Sequence, residues 1–247
     1  MESVYSLLTQ RAVALQQAAR TQNSTDSQKW RIIIALAGPP GSGKSTIARE
    51  VAQRLNALHE DSATVVPMDG FHYTRAKLDT FPNAEEAHAR RGAAWTFDAD
   101  GAVALFTELR TSSTVDATTP ATIYAPSFDH ATKDPIPRDI AIPPTVSTVI
   151  LEGNWLLYDE EPWRQINQLV DESWFVDVDV QVAKARIARR HVESGVETTL
   201  EAALARAEAN DIPNGDEVRG KLMAPTITVW SVDEESQVMR ETRESEI

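Results

Sequence analysis

Gly38-Pro39-Pro40-Gly41-Ser42-Gly43-Lys44-Ser45 is a complete G-x-x-x-x-G-K-[ST] match, and the chemistry of that spacing is the grip of a polyphosphate. Glycines allow the backbone to curl so closely around phosphate oxygens that successive N–H groups donate to them, where Cβ atoms would collide. Lys44 supplies a point charge, Ser45 offers a hydroxyl to Mg²⁺, and Thr46 lies in the first turn of a helix whose positive end strengthens the field. The cofactor-binding set is therefore Gly38, Gly41, Ser42, Gly43, Lys44, Ser45 and Thr46, with Lys44 also assigned to catalysis.

Two carboxylates end apolar runs. Asp69, in Met68-Asp69-Gly70-Phe71-His72, stands where a catalytic base would face a γ-phosphate, although an Asp–Gly turn is a common use of the same dipeptide. Glu152 follows Val149-Ile150-Leu151 and precedes Gly153, the setting either of a Walker-B-like carboxylate that orders Mg²⁺ or of an acid capping a loop. Arg186, Arg189 and Arg190 have i, i+3, i+4 spacing and share a helix face. Arginine forks suit transferring phosphates, and a solvated face paired with acids explains the same pattern equally well. The five histidines show no metal-ligand spacing, so zinc is not expected.

These groups need a scaffold that brings loops to one edge. The Ile-rich run over 30–37 reads as a strand buried on both faces, and Ile47, Ala48, Val51, Leu55 and Leu58 give helical spacing after the glycine loop. Further strands are expected over 63–68, 148–151, 174–178 and 226–232, with helices over 101–109, 182–193 and 197–210, a Thr/Ser-rich loop over 111–120 and a turn cluster over 211–216. The alternation implies an α/β fold, a doubly wound and mostly parallel sheet of P-loop NTPase type with a helical lid, whose ligands lie at the carboxyl ends of the strands. One domain spans 1–247: an N-terminal helix and linker at 1–29, a lid and following helix at about 182–216, and an acidic tail at 233–247.

The chain has 247 residues, ample for a large core. Its 37 Asp plus Glu outweigh 24 Lys plus Arg, and the net charge of −13 opposes binding to nucleic acid or an anionic membrane. There is no cysteine, hence no disulfide framework or thiolate site. No apolar run is long enough to span a bilayer, and a cytoplasmic location is expected. The amphipathic N-terminus, with Arg11 and Arg20, also fits a mitochondrial presequence, but Val4, Leu7, Leu8, Val13 and Leu15 recur at a spacing that favours a helix docked on the core. A homodimer is left open.

Two further segments make the pattern specific: Arg90-Arg91-Gly92-Ala93-Ala94-Trp95-Thr96-Phe97-Asp98 and Ala125-Pro126-Ser127-Phe128-Asp129-His130. With the motifs above, in this order from about Ile32 to Trp230, the chain resembles the phosphoribulokinase, uridine kinase and bacterial pantothenate kinase superfamily. The resemblance implies ATP and Mg²⁺ as cofactors, Asp69 as the base, and lid arginines that contact phosphate, with Arg189 in catalysis and Arg186 and Arg190 at the nucleotide. It also implies an acceptor pocket at His72, Arg91, Phe97, Phe128, Asp129 and His130. Uridine kinases of this superfamily carry D-S-F where Asp69-Gly70-Phe71 stands here, and pantothenate kinases have a longer lid. The chain is similar above all to little-characterised bacterial and fungal members, some described as sugar or nucleoside kinases. The implied activity is transfer of the γ-phosphoryl group of ATP to a hydroxyl of a small metabolite. Two rivals are a nucleotide-hydrolysing switch, for which the N-K-x-D guanine-reading sequence is missing, and a nucleotide-binding regulator without transfer activity.

Overall fold

The computed structural model describes residues 1–22, 31–60, 62–112 and 121–232. The expected linker at 23–29, the Thr/Ser-rich loop beyond Ser112 and the acidic tail at 233–247 lie outside the described residues. In chain order, α1 (Glu2–Gln22) precedes β1 (Ile32–Ala37), α2 (Lys44–Leu58) and β2 (Ala63–Pro67). A 3-10 turn (Met68–Phe71), the short helices α3 (Arg75–Leu78) and α4 (Ala84–Ala89) and a second 3-10 turn (Ala94–Thr96) lead to α5 (Ala99–Ser112). Then come β3 (Ile123–Asp129), β4 (Asp134–Ile142), β5 (Thr148–Gly153), a 3-10 stretch (Trp163–Gln168) and β6 (Glu172–Val178). The chain continues through α6 (Val180–Glu193), α7 (Leu200–Arg206), a π-helical turn (Ala207–Asp211), α8 (Ile212–Gly220) and β7 (Ile227–Ser231).

Five strands form one parallel sheet in the order β2-β5-β1-β6-β7. β1 is central and wholly buried, and its alternation divides it between two cores: Ile33, Ala35 and Ala37 enter one, Ile32, Ile34 and Leu36 the other. The second core holds α1 and α2, whereas α5 packs on the first with Ala102, Phe106 and Leu109. Helices therefore cover both faces, as a parallel sheet of apolar strands requires.

The N-terminal helix docks as the spacing predicts: Leu8 is buried and Val4, Val13 and Leu15 pack partly buried against the same core, joined by the buried Ala12 and Gln16, while Leu7 alone of the expected stripe is exposed. Polar groups fix this register. Arg11 Nε donates to Glu172 at 2.8 Å, Trp174 Nε1 donates to the same buried carboxylate at 2.8 Å, and Gln16 Nε2 donates to Thr148 Oγ1 at 2.7 Å. Leu8→Ala should lower the unfolding free energy by about 2–5 kcal/mol, the usual cost of truncating a fully buried leucine. Urea denaturation measures it, and a change below about 1 kcal/mol would mean that α1 does not belong to the core.

One expectation needs correction, and one element was not anticipated. The stretch 211–216, rich in turn formers, is helical: Pro213 follows the π turn at the start of α8, the Ala209 carbonyl accepts from Arg90 in place of the N–H that proline lacks, and Asn214 and Gly215 are buried. The antiparallel pair β3–β4 is a separate two-stranded sheet that the sequence pattern did not reveal. Among the described residues no helix is long and apolar enough to cross a membrane.

Candidate active site

Parallel register brings the reactive groups together. Ala37 pairs with Gly153, and Pro67 with Glu152, so β1, β2 and β5 end level and release their loops at one edge. The glycine loop after β1 depends on its glycines: Gly41 and Gly43 have φ of +78° and +82°, and a Cβ on Gly38 would lie 2.5 Å from the Val176 carbonyl oxygen. Gly43 caps α2, which begins at Lys44, so the positive helix end points into this loop.

Lys44 Nζ lies 3.7 Å from Glu152 Oε1. Burial pushes the Glu152 carboxyl up, Lys44 opposes that shift, nearby Asp69 adds to it, and the hydrogen bond from Ser45 opposes it again. Lys44 and Ser45 at the start of α2, Asp69 in the 3-10 turn after β2 and Glu152 at the end of β5 thus share one electrostatic neighbourhood. The hydroxyl of Ser45 and the carboxylate of Glu152 are the hard oxygen donors that would suit a divalent cation such as Mg²⁺. Ser42 is completely buried, and its hydroxyl has no partner among the described residues.

Beside Asp69 lies an aromatic wall. The His72 ring packs 4.0 Å from Phe97 and 4.9 Å from Phe128, and Phe128 lies 5.3 Å from His130 (ring centroids). Nδ1 of His72 sits 2.8 Å from the Asp69 carbonyl oxygen. A carbonyl only accepts, so Nδ1 carries the proton and Nε2 of the neutral ring is an acceptor. Burial lowers the His72 pKa more than Asp69 raises it, which keeps the ring neutral near pH 7.

Arg91 and Asp129, both expected at the acceptor, are engaged in holding the β3–β4 hairpin. Arg91 donates to the Lys133 carbonyl, to Tyr73 O at 2.7 Å and to Asp134 Oδ1 at 3.0 Å. Asp129 closes the hairpin turn, accepting from Ala131 N at 2.8 Å and from Thr132 Oγ1 at 2.9 Å. On α6, Arg186 donates to Gly41 O at 3.2 Å and to Ser231 Oγ at 2.8 Å, placing it against the glycine loop. Arg189 and Arg190 are exposed on the same helix, and Arg190 acts electrostatically on the buried His191–Asp211 pair. Sequence reasoning missed Ser231, which no motif marks, and Asn154, whose buried Oδ1 lacks a partner among the described residues. The position of Asn154, two residues after Glu152 at the same sheet edge, was the available signal for it.

Residues 33–211 match the Phosphoribulokinase / Uridine kinase family. The chain belongs to that family. It is 42% identical to a Schizosaccharomyces pombe protein named "Putative uridine kinase C227.14", over 81% of this chain and 83% of that one. It is 34% identical to the ATP-dependent kinase YFH7 of Saccharomyces cerevisiae, over 81% of this chain, and the match spans 65% of the YFH7 length. The crystal structure of YFH7 shares the fold, with a TM-score of 0.75 at 23% identity over 89% of this chain and 99% of that one. The chain is a P-loop kinase of the phosphoribulokinase / uridine kinase family, and the matched residues include the glycine loop, Asp69 and Glu152.

Proposed function

We propose that this kinase transfers the γ-phosphoryl group of ATP to a hydroxyl of a small metabolite bound between Asp69 and the His72, Phe97, Phe128 and His130 wall. The observation that carries this reading is the meeting of Lys44, Ser45, Asp69 and Glu152 at one sheet edge beside that wall. The glycine loop and Lys44 hold the phosphates, while Asp69 receives or orients the acceptor's proton, and the arginines of α6 balance charge that develops on the transferring group. Ser45 and Glu152 would hold Mg²⁺, which when bound supplies charge neutralisation on the β- and γ-phosphates. The aromatic faces and a neutral histidine acceptor favour an uncharged acceptor with a flat or apolar face and a hydroxyl to donate.

A screen with γ-labelled ATP against nucleosides, sugars, pantothenate-like alcohols and nicotinamide riboside tests the reading, with uridine first because of the name borne by the fission yeast relative. Labelled product with one acceptor supports it. ATP binding without transfer to any member of a broad panel would favour a nucleotide-binding regulator instead.

Glu152→Gln replaces an anionic oxygen with a neutral amide, so the Mg²⁺ concentration for half-maximal rate should rise about tenfold, a weakening of roughly 1.4 kcal/mol. The wild-type requirement should also rise on acidification. Because burial lifts the Glu152 pKa, protons should compete with the metal at a higher pH than they would at an exposed carboxylate, and the mutant should lose this dependence. An unchanged metal titration in Glu152→Gln would remove this residue from the metal site.

A further inference from the structure

The π-helical turn Ala207–Asp211 has two sets of partners far apart in sequence. Toward α6, Glu208 accepts from Lys184 Nζ at 2.6 Å, which ties the turn to the helix carrying Arg186, Arg189 and Arg190. Toward the acceptor pocket, Arg90 Nη1 donates to Ala209 O at 3.1 Å, and Asn210 Nδ2 donates to Arg91 O at 3.1 Å. Arg90 Nη2 also reaches Asn214 Oδ1 at 2.9 Å, and the adjacent Gly215 packs against Pro39 and Pro40 of the glycine loop. Arg91 faces both ways: its carbonyl holds the π turn, while its guanidinium holds Tyr73 O and the β3–β4 hairpin that bears Phe128 and His130.

We infer that Arg90, Arg91 and Asn210 form a joint that sets the acceptor hairpin according to the position of the α6–α7 lid, so that nucleotide bound at the glycine loop organises the acceptor pocket. The inference rests on the ATP site proposed above. Its physical basis is continuity: hydrogen bonds, the Lys184–Glu208 ion pair and the packing of Gly215 on the glycine loop join successive elements, and a π turn is a short, irregular helical segment of the kind often found at functional positions. Asn210 and Asn214 are buried, so their amides stay where the surrounding packing puts them, and loss of one bond cannot be made good by water without opening the turn. Arg90, Asn210 and Asn214 are positioning residues in this scheme. They act through Arg91 and the hairpin.

Hydrogen–deuterium exchange on the full chain, with and without Mg²⁺ and the non-hydrolysable analogue AMP-PNP, reads the joint directly and needs no acceptor. In the wild type the analogue should slow exchange at 38–46 and also, by at least about threefold, at 127–131 in the hairpin. In Asn210→Ala and in Arg90→Gln the slowing at 38–46 should persist while that at 127–131 disappears. A residue that merely stabilises the fold would instead speed exchange with and without the analogue alike. Arg90 is partly exposed, so Arg90→Gln carries the test if Asn210→Ala fails to fold. Equal slowing of the hairpin in the folded variants and the wild type overturns the joint, as does a wild type that responds at 38–46 alone. No slowing at 38–46 in the wild type would overturn the ATP site and the joint together.

Discussion

Lys44→Ala should cut phosphoryl transfer by at least about 10³-fold, the scale on which one preorganised cationic donor stabilises transition-state charge. A reading of the glycine loop as exposed surface predicts that the fold would not notice the change. The structure predicts otherwise. Lys44 is mostly buried and neutralises Glu152, which burial has already pushed toward protonation, so the mutant holds an uncompensated carboxylate at a cost on the order of 2 kcal/mol. The sign of the pH dependence follows. Without Lys44 the folded-state pKa of Glu152 climbs further above its usual 4.5, so the penalty is full above that raised value. It shrinks as pH falls toward the ordinary carboxylate range and Glu152 takes up a proton in the folded state. Thermal unfolding of wild type, Lys44→Ala and Lys44→Ala/Glu152→Gln across pH checks this. The double mutant should regain stability at pH 8 without regaining activity. A single mutant with wild-type turnover would dismiss the glycine loop from the mechanism.

Asp69→Asn should separate chemistry from binding and from folding. The backbone carbonyl of Asp69 accepts from His72 N at 3.1 Å and from His72 Nδ1 at 2.8 Å, and asparagine preserves both bonds. The side chain is half exposed, with its carboxylate 4.0 Å from His72 Nδ1, so stability should shift by less than about 0.5 kcal/mol. ATP affinity should be nearly unchanged, whereas the single-turnover rate at saturating ATP and acceptor should fall by roughly 10²–10⁴, the worth of a positioned acid–base group. A rate within about threefold of wild type, far short of that loss, would end the assignment of Asp69 as base. A fall in melting temperature that matched the loss of rate would make it a turn residue.

The glycine loop was legible because its backbone geometry demands local sequence. Only glycine tolerates the φ values at Gly41 and Gly43, and the lysine and hydroxyl must follow at once. Asp69 and Glu152 were legible because strands buried on both faces read as apolar runs, and the residue after such a run stands at the sheet edge. The hairpin was not. Pro126, Pro135 and Pro137 interrupt it, Arg138 has φ of +57°, and β4 is largely exposed, so no alternation of apolar residues survives to mark it. α8 was obscured in the opposite sense: Pro213, Asn214, Gly215 and Asp216 favour turns locally, and burial of Asn214 and Gly215 beside the glycine loop outweighs that preference. The partnerships of Arg186 with Ser231, and of Asn210 with Arg91, join residues remote in the chain, which a single sequence leaves unpaired.

The central place of β1 also governs how the chain emerges from the ribosome. Both neighbours of this strand come later, β5 at Thr148–Gly153 and β6 at Glu172–Val178. Ile32, Ile33 and Ile34 therefore leave the exit tunnel with no edge to join, and at ~5–20 residues per second the nascent chain waits roughly 5–20 s before its first sheet partner is synthesised. In that interval the apolar run is a natural client for a holding chaperone, and slowing translation within the segment between α2 and β5 should increase aggregation during synthesis.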